Sequence, residues 1–381
     1  MKALIAGCGI SGPVTAMALR DAGIDAEIFE AYGHGADSVG SFLNVASNGL
    51  AALRTLGAHR EVMAAGIPTP RMVMWSGTGK RLGEVANGLR LDDGTVSHTV
   101  LRSDLYRIVR DEAGRRGIRV SFGKRLVSYE ETGDAVTAVF EDGTRATGDL
   151  LIACDGVHSA TRSLLDPAAP APRYSGLYSF GGIVRDAGFA GEPGVYNMIF
   201  GKRAFFGYTV AASGETWWFA NLPRRLGDVP KDWKPVLIKA FEGDANFSAE
   251  LIRRGDVGPG LPIHDLPEVP VWHRGRVLLT GDAAHATSPS SGQGASLAAE
   301  DAVVLARCLR DSAGHEQAFQ RFEAERRPRA ERVVAYSRTI SNSKAAGPVA
   351  RVFRDLMMPI FLKKSASQES LAWMYRYQVS L

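Results

Sequence analysis

Residues Lys2 to Gly23 read KALIAGCGISGPVTAMALRDAG. An apolar run of strand length ends at Ala6. Gly7, Gly9 and Gly12 follow in G-x-G-x-x-G spacing, and Val14, Met17 and Ala18 then recur at helical spacing, with Gly23 as a stop. The next apolar run, Ala26 to Phe29, ends at Glu30, 18 positions after Gly12. The glycines therefore lie between a strand and a helix, with an acid at the end of the following strand.

Each residue type has a physical task in such a unit. Gly7 allows a tight turn, Gly9 lets backbone N–H groups approach a pyrophosphate, and Gly12 lets the helix pack close to the strand. The helix N-terminus turns its positive dipole end toward the phosphates, and Glu30 can accept hydrogen bonds from a ribose diol. This predicts a dinucleotide site. The residue types leave FAD and NAD both open.

Composition narrows the surroundings. A chain of 381 residues with 45% hydrophobic and 23% charged content can bury a large core and is long enough for two or three domains. Its net charge of +4 is spread along the chain, which argues against nucleic-acid binding. Cys8, Cys154 and Cys308 are too scattered for a disulfide framework or a metal site, so a reducing, cytoplasmic location is expected and no metal. The N-terminus lacks a signal-peptide cleavage pattern, and no apolar run approaches the roughly 20 residues needed to span a bilayer. There are no internal repeats or low-complexity stretches.

Two further stations follow. LLIACDGVHSATR, Leu150 to Arg162, is a strand-like run that turns at Asp155-Gly156. Taken alone it reads as strand, turn and a helix capped near Ser159, with Arg162 facing solvent. GDAAHATSPSSGQGASLAAEDA, Gly281 to Ala302, sets Asp282 at a strand end, where a carboxylate could meet sugar-like hydroxyls. Pro289 holds an irregular loop, and Gly292-Gln293-Gly294 opens a helix with free N–H groups aimed outward, suited to a developing negative charge. His285 reads as a core histidine satisfied by backbone.

Together the three stations resemble the fingerprints of the class A, single-component flavin-dependent monooxygenases, a family similar to para-hydroxybenzoate and salicylate hydroxylase-like enzymes, over nearly the whole chain. The resemblance implies an α/β fold: a Rossmann-like FAD-binding domain (1–70, 101–172, 265–340), an inserted antiparallel β-sheet substrate domain (71–100, 173–264) and C-terminal helices (341–381). It also implies non-covalent FAD. Gly7, Gly9, Ile10, Ser11, Gly12, Glu30 and Ala31 would hold its ADP half, and Arg102 in VLRSDLYRIV would reach it too. Asp282 would bind the ribityl chain or pyrophosphate region, the backbone of Gly292, Gln293 and Gly294 would meet the isoalloxazine, and Asp155, Pro289 and Ala295 would also bind the cofactor. GSFLNVASNGLAALRTLG, from Gly40, resembles the stretch that passes under the flavin, with Gly40 to Asn44 flanking its movement. Ser47 stands where a proline is usual, and Ser296 where an asparagine supports the ring.

GVYNMIFGKRAFFGYTVAASGETWWFANLPR, Gly194 to Arg224, alternates as antiparallel strands do. Its aromatics Tyr196, Phe205, Phe206, Tyr208, Trp217 and Trp218, with Phe180 upstream, read as sheet core. In the tail, Val349, Val352, Phe353, Leu356 and Ile360 share one helical face, expected to dock on the protein itself, and Arg351, Arg354, Lys363 and Lys364 make a membrane-surface role the alternative.

The implied activity is hydroxylation of an aromatic or polycyclic small molecule with O2 and NADH or NADPH, through a flavin C4a-hydroperoxide, by a monomer or homodimer. No catalytic acid or base is singled out. Baeyer–Villiger oxidation or epoxidation on the same fold, and a non-catalytic flavin or ligand sensor, are the competing readings. A halogenase would show a W-x-W-x-I-P stretch, which Trp217-Trp218 does not supply.

Overall fold

The computed structural model describes residues 1–35, 41–185, 188, 191–344, 348–365 and 371–381. Gly40 therefore lies outside the described residues, as do the side chains of Val349, Lys363 and Lys364.

The opening apolar run is the strand Lys2–Ala6, and it sits inside a six-stranded sheet. Leu150–Ala153 lies on one side of it and Asp25–Phe29 on the other, both parallel. Val277–Leu279 and Arg119–Ser121 extend the parallel array outward, and the short strand His273–Arg274 closes one edge antiparallel. The three central strands, ALIA at 3–6, LLIA at 150–153 and VLL at 277–279, are continuous apolar runs, as strands covered on both faces are, whereas the outer strands carry charged residues. Helix Ser11–Asp21 packs against helix Gly294–Arg310, the latter buried along most of its length.

A second sheet of seven strands is built from Arg71–Ser76, Arg81–Ala86 and five strands between Arg173 and Asp265. The expected antiparallel pattern holds except between Val195–Phe200 and Arg71–Ser76, which run parallel because a long crossover separates them. Alternation divides its aromatics between two faces. Phe180, Phe206 and Trp218 form a core with Trp233, Leu237 and Phe241 of helix Trp233–Phe241, and Tyr208 packs at its margin. Tyr196 and Trp217 point the other way, clustering with Phe42 and Phe219, while Phe205 packs beside them with Phe200. The sheet thus has a structural face and a face turned toward the first sheet's loops.

The tail helix Pro348–Ser365 corrects an expectation. It crosses the edge strand Arg81–Ala86, with Met358 against Leu82, Phe200 and Phe205 and Leu362 over Gly83. Arg351 donates to the Lys202 carbonyl at 2.6 Å and Arg354 to that of Phe200 at 3.4 Å. Val352, Phe353, Leu356 and Ile360, the residues expected to dock, are 52–66% exposed. Carbonyls at the strand end need donors, and the arginine face supplies them, so the helix turns that face inward. No helix among the described residues is long and apolar enough to cross a membrane.

Candidate functional site at the carboxyl end of the parallel sheet

Strand register brings the three stations together. Ala6 pairs with Phe29 and with Ala153, and Ala153 with Leu279. Gly7, Glu30, Cys154-Asp155 and Thr280-Gly281 therefore leave the sheet side by side at its carboxyl end, where ligands bind in open α/β sheets. Gly7 has φ +102°, and a Cβ there would press on the Cys154 carbonyl. At Gly12 a Cβ would overlap the Gly7 carbonyl oxygen, so the helix approaches the strand only because the side chain is missing. Among the described residues, a Cβ at Gly9 meets no protein atom within 4 Å. Gly9 therefore borders open space.

Glu30 accepts from Cys8 N–H at 2.7 Å and Tyr32 N–H at 3.0 Å, which fixes its carboxylate against the glycine turn, with Ala31 half-buried beside it. Ile10 and Ser11 complete that turn, and Gly281, at φ +57°, comes close to Ser11 Oγ. Asp155 Oδ2 accepts from the N–H and hydroxyl of Thr161, capping the next helix, while Oδ1 is buried with no partner among the described residues. Arg102 opens helix Arg102–Arg115, and its Nε donates to the Tyr106 hydroxyl at 2.9 Å. Its charge acts on Asp282 across the cleft. The Asp282 side chain is accessible but lies on a protein-lined floor; enclosure pushes its carboxyl up, and His285 and Arg102 pull it down.

The third station is a short helix, Asp282–His285, a 3-10 turn, Pro289–Ser291, and helix Gly294–Arg310. Ser341 links it to helix His315–Lys344, hydrogen-bonding Ser288 at 2.6 Å and Ser290 at 2.7 Å. Of the N–H groups expected to point outward, that of Gly292 is spent on the Pro289 carbonyl at 3.1 Å, because Gly292 is left-handed and folds the turn back. Those of Gln293 and Gly294 carry no backbone hydrogen bond among the described residues. Ala295 follows in the first helical turn, half-buried. Gln293 is buried, its Oε1 accepting from Asn48 at 3.0 Å and its side-chain amide facing the Tyr375 hydroxyl. Ser296 accepts from Ala46 N–H at 3.2 Å and lies where a Cβ on Gly49 would collide, so it serves helix packing.

Two readings of single residues change. Arg162 does not face solvent. It is buried, donating to the carbonyls of Ala283 at 3.1 Å and Val157 at 2.8 Å, so it ties the second station to the third. His285 is buried, but a carboxylate satisfies it: Nε2 lies 2.6 Å from Asp301 Oδ2. Asp301 also accepts from Gly281 N–H at 3.0 Å and Arg326 Nε at 2.7 Å, and Glu300 takes up Arg326, Arg329 and Asn48. Sequence reasoning missed this network. Its trace is the acidic pair Glu300-Asp301 inside an otherwise apolar helical run. Lys344, which meets the inward face of the second sheet, was also missed; nothing in its local sequence marks it.

The arrangement fits a dinucleotide carrying a redox ring. Open space borders Gly9 at a helix N-terminus, Glu30 stands at the next strand end, and the N–H groups of Gln293 and Gly294 carry no backbone hydrogen bond among the described residues. Residues 1–217 and 269–337 match the family described as FAD binding domain, and the chain belongs to it. It is 32% identical over 344 residues to the FAD-dependent urate hydroxylase of Klebsiella pneumoniae, covering 89% of each chain. It is 33% identical over 347 residues to the aurachin C monooxygenase/isomerase of Stigmatella aurantiaca, covering 88% of each. The crystal structure of Klebsiella pneumoniae HpxO complexed with FAD and uric acid superposes with TM-score 0.87 at 30% identity, covering 98% of this chain and 97% of that one. A salicylate hydroxylase substrate complex shares the fold, with TM-score 0.81 at 21% identity over 99% and 96% of the two chains.

Proposed function

We propose that this protein is a FAD-dependent monooxygenase that uses NADH or NADPH and O2 to hydroxylate an aromatic or polycyclic small molecule. Residues 1–70, 101–172 and 265–340 hold the cofactor, 71–100 and 173–264 enclose the substrate, and 341–381 add helices. The observation that carries the reading is the meeting of three loop stations at one sheet end with the aromatic face of a second sheet.

A bound FAD would supply the redox chemistry, hydride acceptance from the nicotinamide and oxygen transfer from O2. The chain supplies the rest. N–H groups beside Gly9 and the end of helix Ser11–Asp21 receive the pyrophosphate. Glu30 holds the adenosine ribose, and Asp282 and Arg102 take hydroxyl and phosphate groups farther along. Gln293 and Gly294 N–H groups stabilise negative charge on the reduced ring. Tyr196, Trp217 and Phe219 exclude water from the reacting carbon.

The test is NAD(P)H consumption with a panel of aromatic and polycyclic compounds under isotopically labelled O2. The expected outcome is slow oxidation alone, much faster oxidation with a substrate, and one labelled atom in the product. Stimulated turnover whose product takes oxygen only from water refutes it.

A further inference from the structure

Helix His315–Lys344 ends on a lysine that points into the second sheet. Lys344 Nζ lies 3.2 Å from Asn221 Oδ1, 4.3 Å from the ring centre of Phe205 and 5.6 Å from that of Phe219. Phe205 and Asn221 are cross-strand partners, as are Gly207 and Phe219, so all these contacts lie on the face turned away from the sheet's helix-covered core. One helical turn earlier, Ser341 grips the 288–291 turn that precedes Gly292-Gln293-Gly294. The amine therefore stands between the third station and the aromatic face.

Among the described residues, its surroundings are those of a cation without an anion: the strand Thr216–Pro223 brings it Phe219 and Asn221, and the strand Phe205–Val210 brings Phe205. On helix Pro348–Ser365, Arg351 and Arg354 are engaged by carbonyls and Asp355. Tyr196, on the same face, is pushed upward by burial and stays a neutral phenol. Burial is the one influence on Lys344 and lowers it to about 7. An enclosed amine of this kind accepts a proton when an anion arrives with it.

We propose that Lys344 is the proton acceptor and charge partner of a weakly acidic aromatic substrate, a phenol or a ring with an acidic N–H, held against Phe205 and Phe219. The proposal rests on the monooxygenase reading. The substrate's O–H or N–H bond breaks, its electron pair stays on the substrate, and the proton forms a new N–H bond on Nζ. Net charge is unchanged, and the ring becomes more electron-rich, as an electrophilic oxygen donor requires.

The test titrates the FAD-loaded protein with 4-nitrophenol and with its methyl ether, 4-nitroanisole, which lacks the acidic proton, following the nitrophenolate band by difference spectra. The wild type should bind the acid at least about tenfold more tightly than the ether, and as the anion. Its affinity should peak between the pKa of Lys344 and that of the probe, since below both a proton must leave and above both one must be taken up. Lys344→Met should lose about 30-fold for the acid, the phenolate band and the peak, while keeping FAD. Lys344→Arg, which carries the test should the methionine variant misfold, should still favour the anion, but with no decline at high pH. A wild type that does not favour the acid, or variants that bind both probes with its pH profile, overturns the proposal. Acid preference without oxygen incorporation leaves Lys344 assigned and removes the monooxygenase reading; oxygenation with Lys344→Met indistinguishable from wild type does the reverse.

Discussion

Gly9 and Asp282 act through single atoms. The hydrogen of Gly9 faces open space and not neighbouring protein, so a larger side chain there does not strain the fold; it fills the approach to the glycine turn. Gly9→Val is expected to fold with an unchanged melting temperature but to purify largely without FAD, read from the flavin absorbance per chain. A fully flavinated variant would remove that turn from the cofactor site. Asp282→Ala should weaken FAD binding about tenfold or more, since one charge-assisted hydrogen bond contributes ~1.5–3 kcal/mol. His285→Ala should weaken it less, because His285 faces Asp301, behind the site. Titration of FAD into the apoprotein separates the two; equal small losses would make the whole loop structural.

Between elements, the strongest coupling is the charge network joining helices Gly294–Arg310 and His315–Lys344. Burial would raise the Asp301 carboxyl, but the charges of His285 and Arg326 and their hydrogen bonds hold it well below the usual carboxylate range. A depressed carboxyl stabilises the fold above its unfolded pKa, and that contribution fades only as pH falls through the lower, folded value. Asp301→Asn removes the anion shared by His285 and Arg326, leaving Arg326 only Glu300 and His285 no carboxylate of its own. It should cost about 3–5 kcal/mol at neutral pH by denaturant unfolding, and the difference from wild type should shrink in acid. A loss under ~1 kcal/mol would mean that solvent or rearrangement compensates. Arg162 and His285 depart from their sequence expectations because Ala283 and Asp301 lie on segments that the fold brings to them.

Across the whole molecule, the tail helix is fastened by its mixed face and leaves its apolar one outward. Phe353→Ser with Leu356→Ser should therefore change stability by no more than ~0.5 kcal/mol, whereas Met358→Ser, beneath Leu82, Phe200 and Phe205, should lower it by about 1–3 kcal/mol. Thermal melts of the two variants decide; a large loss from the double variant would mean that the exposed face is covered in solution.

The strand, turn and helix at Lys2 to Gly23 were legible in the sequence because their causes are local: hydrophobic period, glycine spacing and the acid at the next strand's end all act within about 30 residues. The same holds for the Asp155-Gly156 and Gly281-Asp282 turns, and for the alternation of the second sheet. Tertiary structure alone decided which of these stations meet, since register sets Ala6 beside Ala153 and Ala153 beside Leu279 across more than a hundred residues. It also decided which aromatics are core and which line the inward face, because alternation assigns two faces without saying what covers either. Lys344 belongs wholly to that second category. A lysine's sequence neighbours do not report its packing; only the fold sets a distant helix end against Phe205, Phe219 and Asn221.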